Sequence, residues 1–105
     1  MIRHIAVIKL KPGCTPQQEQ TFIDMVEDLV HHVDEIVSMS VGRSVGLDGS
    51  PTGAVALAAD FANLADLNTY LTHPRHLAVS AYVAEIKETA MGADFEVGRE
   101  RLDQP

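Results

Sequence analysis

Tryptophan is absent from this chain of 105 residues, cysteine occurs once, and eight basic side chains face fifteen Asp and Glu, for a formal net charge of −7. The basic residues never cluster into a run, so no surface is expected that could displace counterions from a phosphate backbone, and nucleic acid is excluded as a partner. A lone Cys14 forms no disulfide within the chain and has none of the neighbouring Cys and His ligands of a structural zinc site, which fits a reducing, cytoplasmic setting. The longest uninterrupted apolar stretch runs from Ala54 to Ala59, far short of the roughly 20 residues that span a bilayer. Met1-Ile2-Arg3-His4 leads straight into alternating residues, without the charged leader and apolar stretch of an export signal. No membrane partner is expected.

What is present is a clear alternation of periods. Ile2 to Leu10 is apolar on both parities at its centre and charged toward its ends, the mark of a strand covered on two faces. Lys11-Pro12-Gly13 breaks it. Thr15-Pro16-Gln17-Gln18 then supplies a capping hydroxyl, a proline for the first helical position and a capping-box glutamine. The helix that follows carries Phe22, Met25, Val26, Leu29, Val30 and Val33 on one stripe. Ile36 to Val45 returns to period two, with Val37, Met39, Val41 and Arg43 on one face. Residues 46–53 are rich in turn formers, and Ala54 to Phe61 forms a strand nonpolar on both faces. Asn63 caps a short helix through Leu71, and Pro74 starts a second segment carrying Val79, Val83, Ile86 and Ala90. Met91 to Val97 reads as a last strand.

The order β-α-β-β-α-β implies an α+β, ferredoxin-like domain: a four-stranded antiparallel sheet with its helices on one face. One domain is expected over residues 1–98, followed by a polar C-terminal tail, 99–105. Helices can cover only one parity of each strand, so Ile5, Val7 and half of the Ala54 to Ala59 run are left on an open, apolar face. Burying that face is worth roughly 25 cal/mol per Å² of apolar surface before the cost of association. A homodimer packed through it is therefore expected.

Several stretches resemble the stress-responsive A/B-barrel (Dabb) family of dimeric α/β barrels: residues 2–11, Ser40-Val41-Gly42-Arg43, Ala58-Ala59-Asp60-Phe61, Tyr70-Leu71-Thr72-His73-Pro74-Arg75-His76 and Asp94-Phe95-Glu96-Val97. The family includes plant stress-induced proteins, bacterial members without a known role and a cofactor-independent polyketide cyclase that closes a ring by aldol condensation. The resemblance to that cyclase implies a small-molecule pocket between sheet and helices, with His76 as general base and Tyr70 assisting it. His4, Ala6, Ile8, Phe22, Ile23, Val26, Leu57 and Val79 match ligand-lining positions. Several are smaller than the aromatic residues the cyclase uses. Two other functions are implied by the same group: a non-catalytic, stress-associated structural dimer, and a cofactor-independent monooxygenase.

The chemistry stands on its own terms. In the first turn after Pro74, unpaired N–H groups and the helix dipole disfavour a charged imidazole, so His76 is expected to be neutral and able to accept a proton from carbon. Tyr70 can donate a hydrogen bond to the oxygen that becomes negative. No cofactor is needed for that step. The structural counterpart is that His76 bonds a backbone carbonyl and Tyr70 packs against the helix, together fixing the kink at Pro74. His4 carries the same two readings. His73 and His76 are spaced for a shared metal but lack a third ligand, so no metal site is expected. His31 and His32 belong to a solvated helix end, and Cys14 has no adjacent base.

Overall fold

The computed structural model describes residues 1–49 and 52–98; the Ser50-Pro51 part of the expected turn and the 99–105 tail lie outside them. The elements are β1 (Ile2–Leu10), α1 (Pro16–Asp28), a 3-10 turn (Leu29–His31), β2 (Ile36–Arg43), β3 (Ala54–Phe61), α2 (Leu64–Thr72), α3 (Pro74–Ile86) and β4 (Lys87–Glu96). All four strands pair antiparallel in the order β2-β3-β1-β4. This is the ferredoxin-like arrangement. Among the described residues no helix is long and apolar enough to cross a membrane.

Each helix begins where its sequence provides a cap. At α1, the Gln18 N–H donates to Thr15 Oγ1 at 3.1 Å and the Thr15 N–H donates to Gln18 Oε1 at 2.9 Å, a complete capping box with Pro16 in the first turn. At α2, Asn63 Oδ1 accepts from the Asp66 N–H at 2.8 Å. His73 closes α2 and opens α3, held extended by the following Pro74, and its Nδ1 accepts from the Arg75 N–H at 3.1 Å. The break between the two helices is thus a single residue.

The core lies between the sheet and the helices. Ile2, Ile8 and Leu10 of β1 and Val55, Leu57, Ala59 and Phe61 of β3 point into it, against Phe22, Ile23 and Val26 of α1, Leu67 and Tyr70 of α2, and Val79 and Ile86 of α3. On the opposite face β1 presents Arg3, Ile5 and Val7. Their neighbours there include Ala56 and Ala58 of β3 and Met91, Ala93 and Phe95 of β4. Met91 is 77% exposed and Phe95 44%. At one end of this face Arg3 donates to both oxygens of Asp60, at 2.8 and 3.0 Å, with Ser38 alongside.

Three elements depart from the sequence reading. The last helix does not continue to Ala90: it stops at Ile86, because the Lys11 backbone N–H takes the Ile86 carbonyl at 2.9 Å and the Lys11 ammonium takes that of Glu85 at 3.0 Å. Lys87 is then free to turn extended, and Ala90 pairs with Ile8 inside β4. Val30 is not on the buried stripe but 43% exposed, since the 3-10 turn at Leu29–His31 advances the chain by three residues per turn and shifts the phase. Finally, β2 ends at Arg43 and is bulged between Ile36 and Ser38. The bulge aligns Ile36 with Phe61 and turns Val37 outward, 56% exposed.

Removing the α1 cap with Thr15→Ala should lower stability by about 1 kcal/mol in urea titration. The two Arg3 hydrogen bonds, opposed by burial, hold the Asp60 carboxyl below its ordinary 3.8. A depressed carboxyl stabilises the fold above its unfolded value, and that contribution is lost as pH falls through the folded value. Asp60→Asn should therefore flatten the acid limb of stability measured against pH.

Candidate active site

A cavity of about 160 Å³ lies between the sheet and α1, α2 and α3. Its lining contains His4, Ala6 and Ile8 from β1, Phe22 and Val26 from α1, Leu57 from β3, Tyr70 from α2, and His76 and Val79 from α3. Ile23, also expected there, is buried in the core but outside the lining, one residue and so about 100° around α1 from Phe22. Ser80, Val83 and Lys87 complete the wall. They continue the helical spacing that begins at His76, at i+4, i+7 and i+11, a signal the sequence carries.

The polar groups gather at one end. Tyr70 stands between two imidazoles, its ring centre 4.5 Å from that of His76 and 5.9 Å from that of His4, with Phe61 at 5.0 Å behind it. The helix break positions this set. In a continuous helix the Leu71 carbonyl would accept from the backbone four residues on; the break at His73 leaves it unsatisfied, and His76 Nδ1 donates to it at 3.1 Å. A neutral ring whose Nδ1 carries the proton has its lone pair on Nε2. His4 is fixed in the same way from β4, its Nδ1 donating to Asp94 Oδ1 at 2.5 Å. Asp94 sits opposite His4 in the β1–β4 register, a pairing that only the sheet reveals.

Burial sets the protonation states. Desolvation, with a smaller contribution from the charge of His4, pushes the His76 pKa below its ordinary 6.5 against the opposing pull of the Leu71 carbonyl. Tyr70, 1% exposed, is pushed up to about 12 by burial and stays a phenol. Among the described residues its hydroxyl has no hydrogen-bond partner. The site thus offers an imidazole acceptor in His76, a second imidazole held by Asp94 and one uncommitted donor beside apolar walls.

The other candidates are elsewhere. His73 spends its Nδ1 on the α3 cap, and His32 pairs with Asp28 at 3.0 Å on the helix surface. Among the described residues, no group of three or more His, Cys, Asp and Glu side chains gathers for a metal. Burial and the Glu19 charge push the Cys14 thiol up, away from the reactive thiolate.

A family model described as the stress responsive A/B barrel domain matches residues 2–97. Among solved structures, a dimeric protein of unknown function and ferredoxin-like fold from Bacteroides fragilis is 29% identical, covering 91% of this chain and 95% of that chain with a TM-score of 0.78. A dimeric ferredoxin-like protein of unknown function from Thermobifida fusca is 26% identical, over 91% and 90% of the two chains, with a TM-score of 0.82. The hydroxynitrile lyase from Passiflora edulis shares the fold at 17% identity, over 96% of each chain, with a TM-score of 0.82. No curated protein matches the sequence.

His76 should titrate below 6.5 when followed by NMR, with Nδ1 as the protonated nitrogen of its neutral form. Since the unfolded chain takes up that proton first, His76 should make stability fall as pH drops from its ordinary value to its depressed one.

Proposed function

This chain belongs to the stress responsive A/B barrel domain family, and from that premise we propose that it is a homodimer whose subunits each bind a small, mostly apolar ligand between sheet and helices, and that it catalyses a cofactor-free carbon–carbon cyclisation or isomerisation. One observation carries the catalytic reading: His76 is half-buried, with Nδ1 committed to the Leu71 carbonyl, and it stands against a tyrosine whose hydroxyl has no partner among the described residues. The backbone bond of the structural reading is present, yet it occupies only the nitrogen that a base does not need.

In the proposed reaction His76 Nε2 removes a proton from a carbon flanked by carbonyls, and the electron pair moves onto the carbonyl oxygen. Tyr70 donates its hydroxyl hydrogen bond to that oxygen as it becomes negative. The enolate carbon attacks a second carbonyl of the same chain, closing a ring, and the imidazolium returns its proton to the new alkoxide. The depressed basicity of His76 keeps it unprotonated near neutral pH, and the phenol of Tyr70 remains a donor throughout. His4, oriented by Asp94, supplies a second imidazole on the far side of Tyr70.

The dimer reading rests on the apolar face of Ile5, Val7, Met91, Ala93 and Phe95, which no helix of the same chain covers, and on the dimeric description of the Bacteroides and Thermobifida relatives. The single cysteine supports a cytoplasmic setting.

With a tetraketide thioester, the wild type should yield cyclised product. His76→Ala should lower turnover by about 10²-fold or more and Tyr70→Phe by about 10²-fold, with the fold intact by circular dichroism. Oxygen uptake with a quinol in place of cyclisation would instead favour a monooxygenase, and neither activity in a stable dimer would favour a structural role. Sedimentation at micromolar concentration should give two chains for the wild type and one for Met91→Asp; a monomeric wild type would remove the dimer.

A further inference from the structure

The cavity is long, and its two ends differ in character. Along β1 its lining runs from His4 to Ile8, about 13 Å of extended chain. Along α3 it runs from His76 through Val79, Ser80 and Val83 to Lys87, eleven residues and about 16 Å at helical rise. Spread over that length, 160 Å³ makes the cavity narrow. His4, Tyr70 and His76 occupy one end, apolar side chains the middle, and Lys87 the other end, where it pairs across the sheet from Leu10.

Lys87 stands out in its surroundings. The chain has three lysines, and all are at this end of the sheet. Lys9 faces Glu88 at 3.6 Å and Lys11 caps the Glu85 carbonyl. Among the described residues the Lys87 ammonium has no ion-pair or hydrogen-bond partner, although Glu85 and Glu88 are close in sequence. The Ser80 hydroxyl, two turns back along the same lining, is also without one. A strongly acidic protein thus leaves one cation unspent on the wall of a cavity that is otherwise largely apolar.

We infer that the slot takes a chain-like monocarboxylate, its anionic end held by Lys87 and its apolar body lying toward His76 and Tyr70. A single negative charge fits better than a phosphate dianion. The wall there offers one ammonium and no guanidinium fork, and it adjoins the C-terminus of α3, whose dipole opposes any anion and a dianion more than a monoanion. The last α3 carbonyls are already satisfied by Lys11, which leaves Lys87 for the ligand. This inference rests on the pocket reading above and specifies its substrate class: the acid group anchors one end of the chain while the carbon that loses its proton reaches the imidazoles.

Hexanoate and its neutral counterpart hexanamide, titrated separately into the whole protein and followed by amide NMR, test it. Hexanoate should shift the Ala6, Val79 and Val83 signals, and hexanamide should need about tenfold higher concentration. Lys87→Met should abolish that preference and Lys87→Arg should keep it. Equal binding of acid and amide to the wild type, or a preference that survives Lys87→Met, would overturn the inference while leaving the pocket in place. If neither compound moves these signals but the thioester is still cyclised in a His76-dependent manner, the carboxylate inference fails and the catalytic reading stands; if cyclisation is absent as well, both fail.

Discussion

β1 is hydrogen-bonded along both of its edges, to β3 and to β4, and carries apolar side chains on both of its faces. Everything else takes its place from this strand. Its even-numbered side chains face the helices and include His4, Ala6 and Ile8 of the cavity; its odd-numbered ones form the spine of the open face. Because side chains alternate strictly, a slip of one residue against β3 would exchange the two sets and carry His4 out of the site. The pairing with β4 sets the chemistry as well, since it brings Asp94 against His4. One strand thus fixes the core, the second imidazole of the candidate site and the open apolar face.

The distribution of charge follows from the same geometry. Near the first turn of α3 the environment is apolar and the helix dipole positive, so a neutral imidazole and an un-ionised phenol are favoured. At the other end of α3 the dipole reverses, and there the chain places its lysines, one sealing the helix and one on the cavity wall. The arginines of the described residues instead meet side chains elsewhere, Arg3 holding Asp60 on the open face and Arg43 holding Glu19 on α1.

Much of this was legible in the sequence, because it rests on local signals. The capping box at Thr15, the cap at Asn63 and the break at Pro74 each depend on a few adjacent residues, and the strand order followed from the alternation of periods. What was not legible depends on contacts between distant segments. The end of α3 is set by Lys11, more than seventy residues earlier; the outward turn of Val37 is set by a bulge against β3; the partner of His4 is set by β4. Within the site, His76, Tyr70, His4 and the lining position at Ile23 come from likeness to a family, and Ile23 lies outside the lining because it faces about 100° away from Phe22 on α1. Ser80 and Lys87 are polar residues that nothing in the local sequence sets apart from a solvated helix face.

The junction at His73 joins two helices with no intervening loop. Tyr70 lies three residues before it and His76 three residues after, so the spacing between donor and base is written into the shortest connection a chain can make. Loops elsewhere in proteins lengthen and shorten readily as lineages diverge; here one inserted or deleted residue would swing the imidazole about a third of a turn away from the phenol. Side chains along the cavity can change size one at a time, whereas the approach of His76 to Tyr70 is set by the junction as a unit.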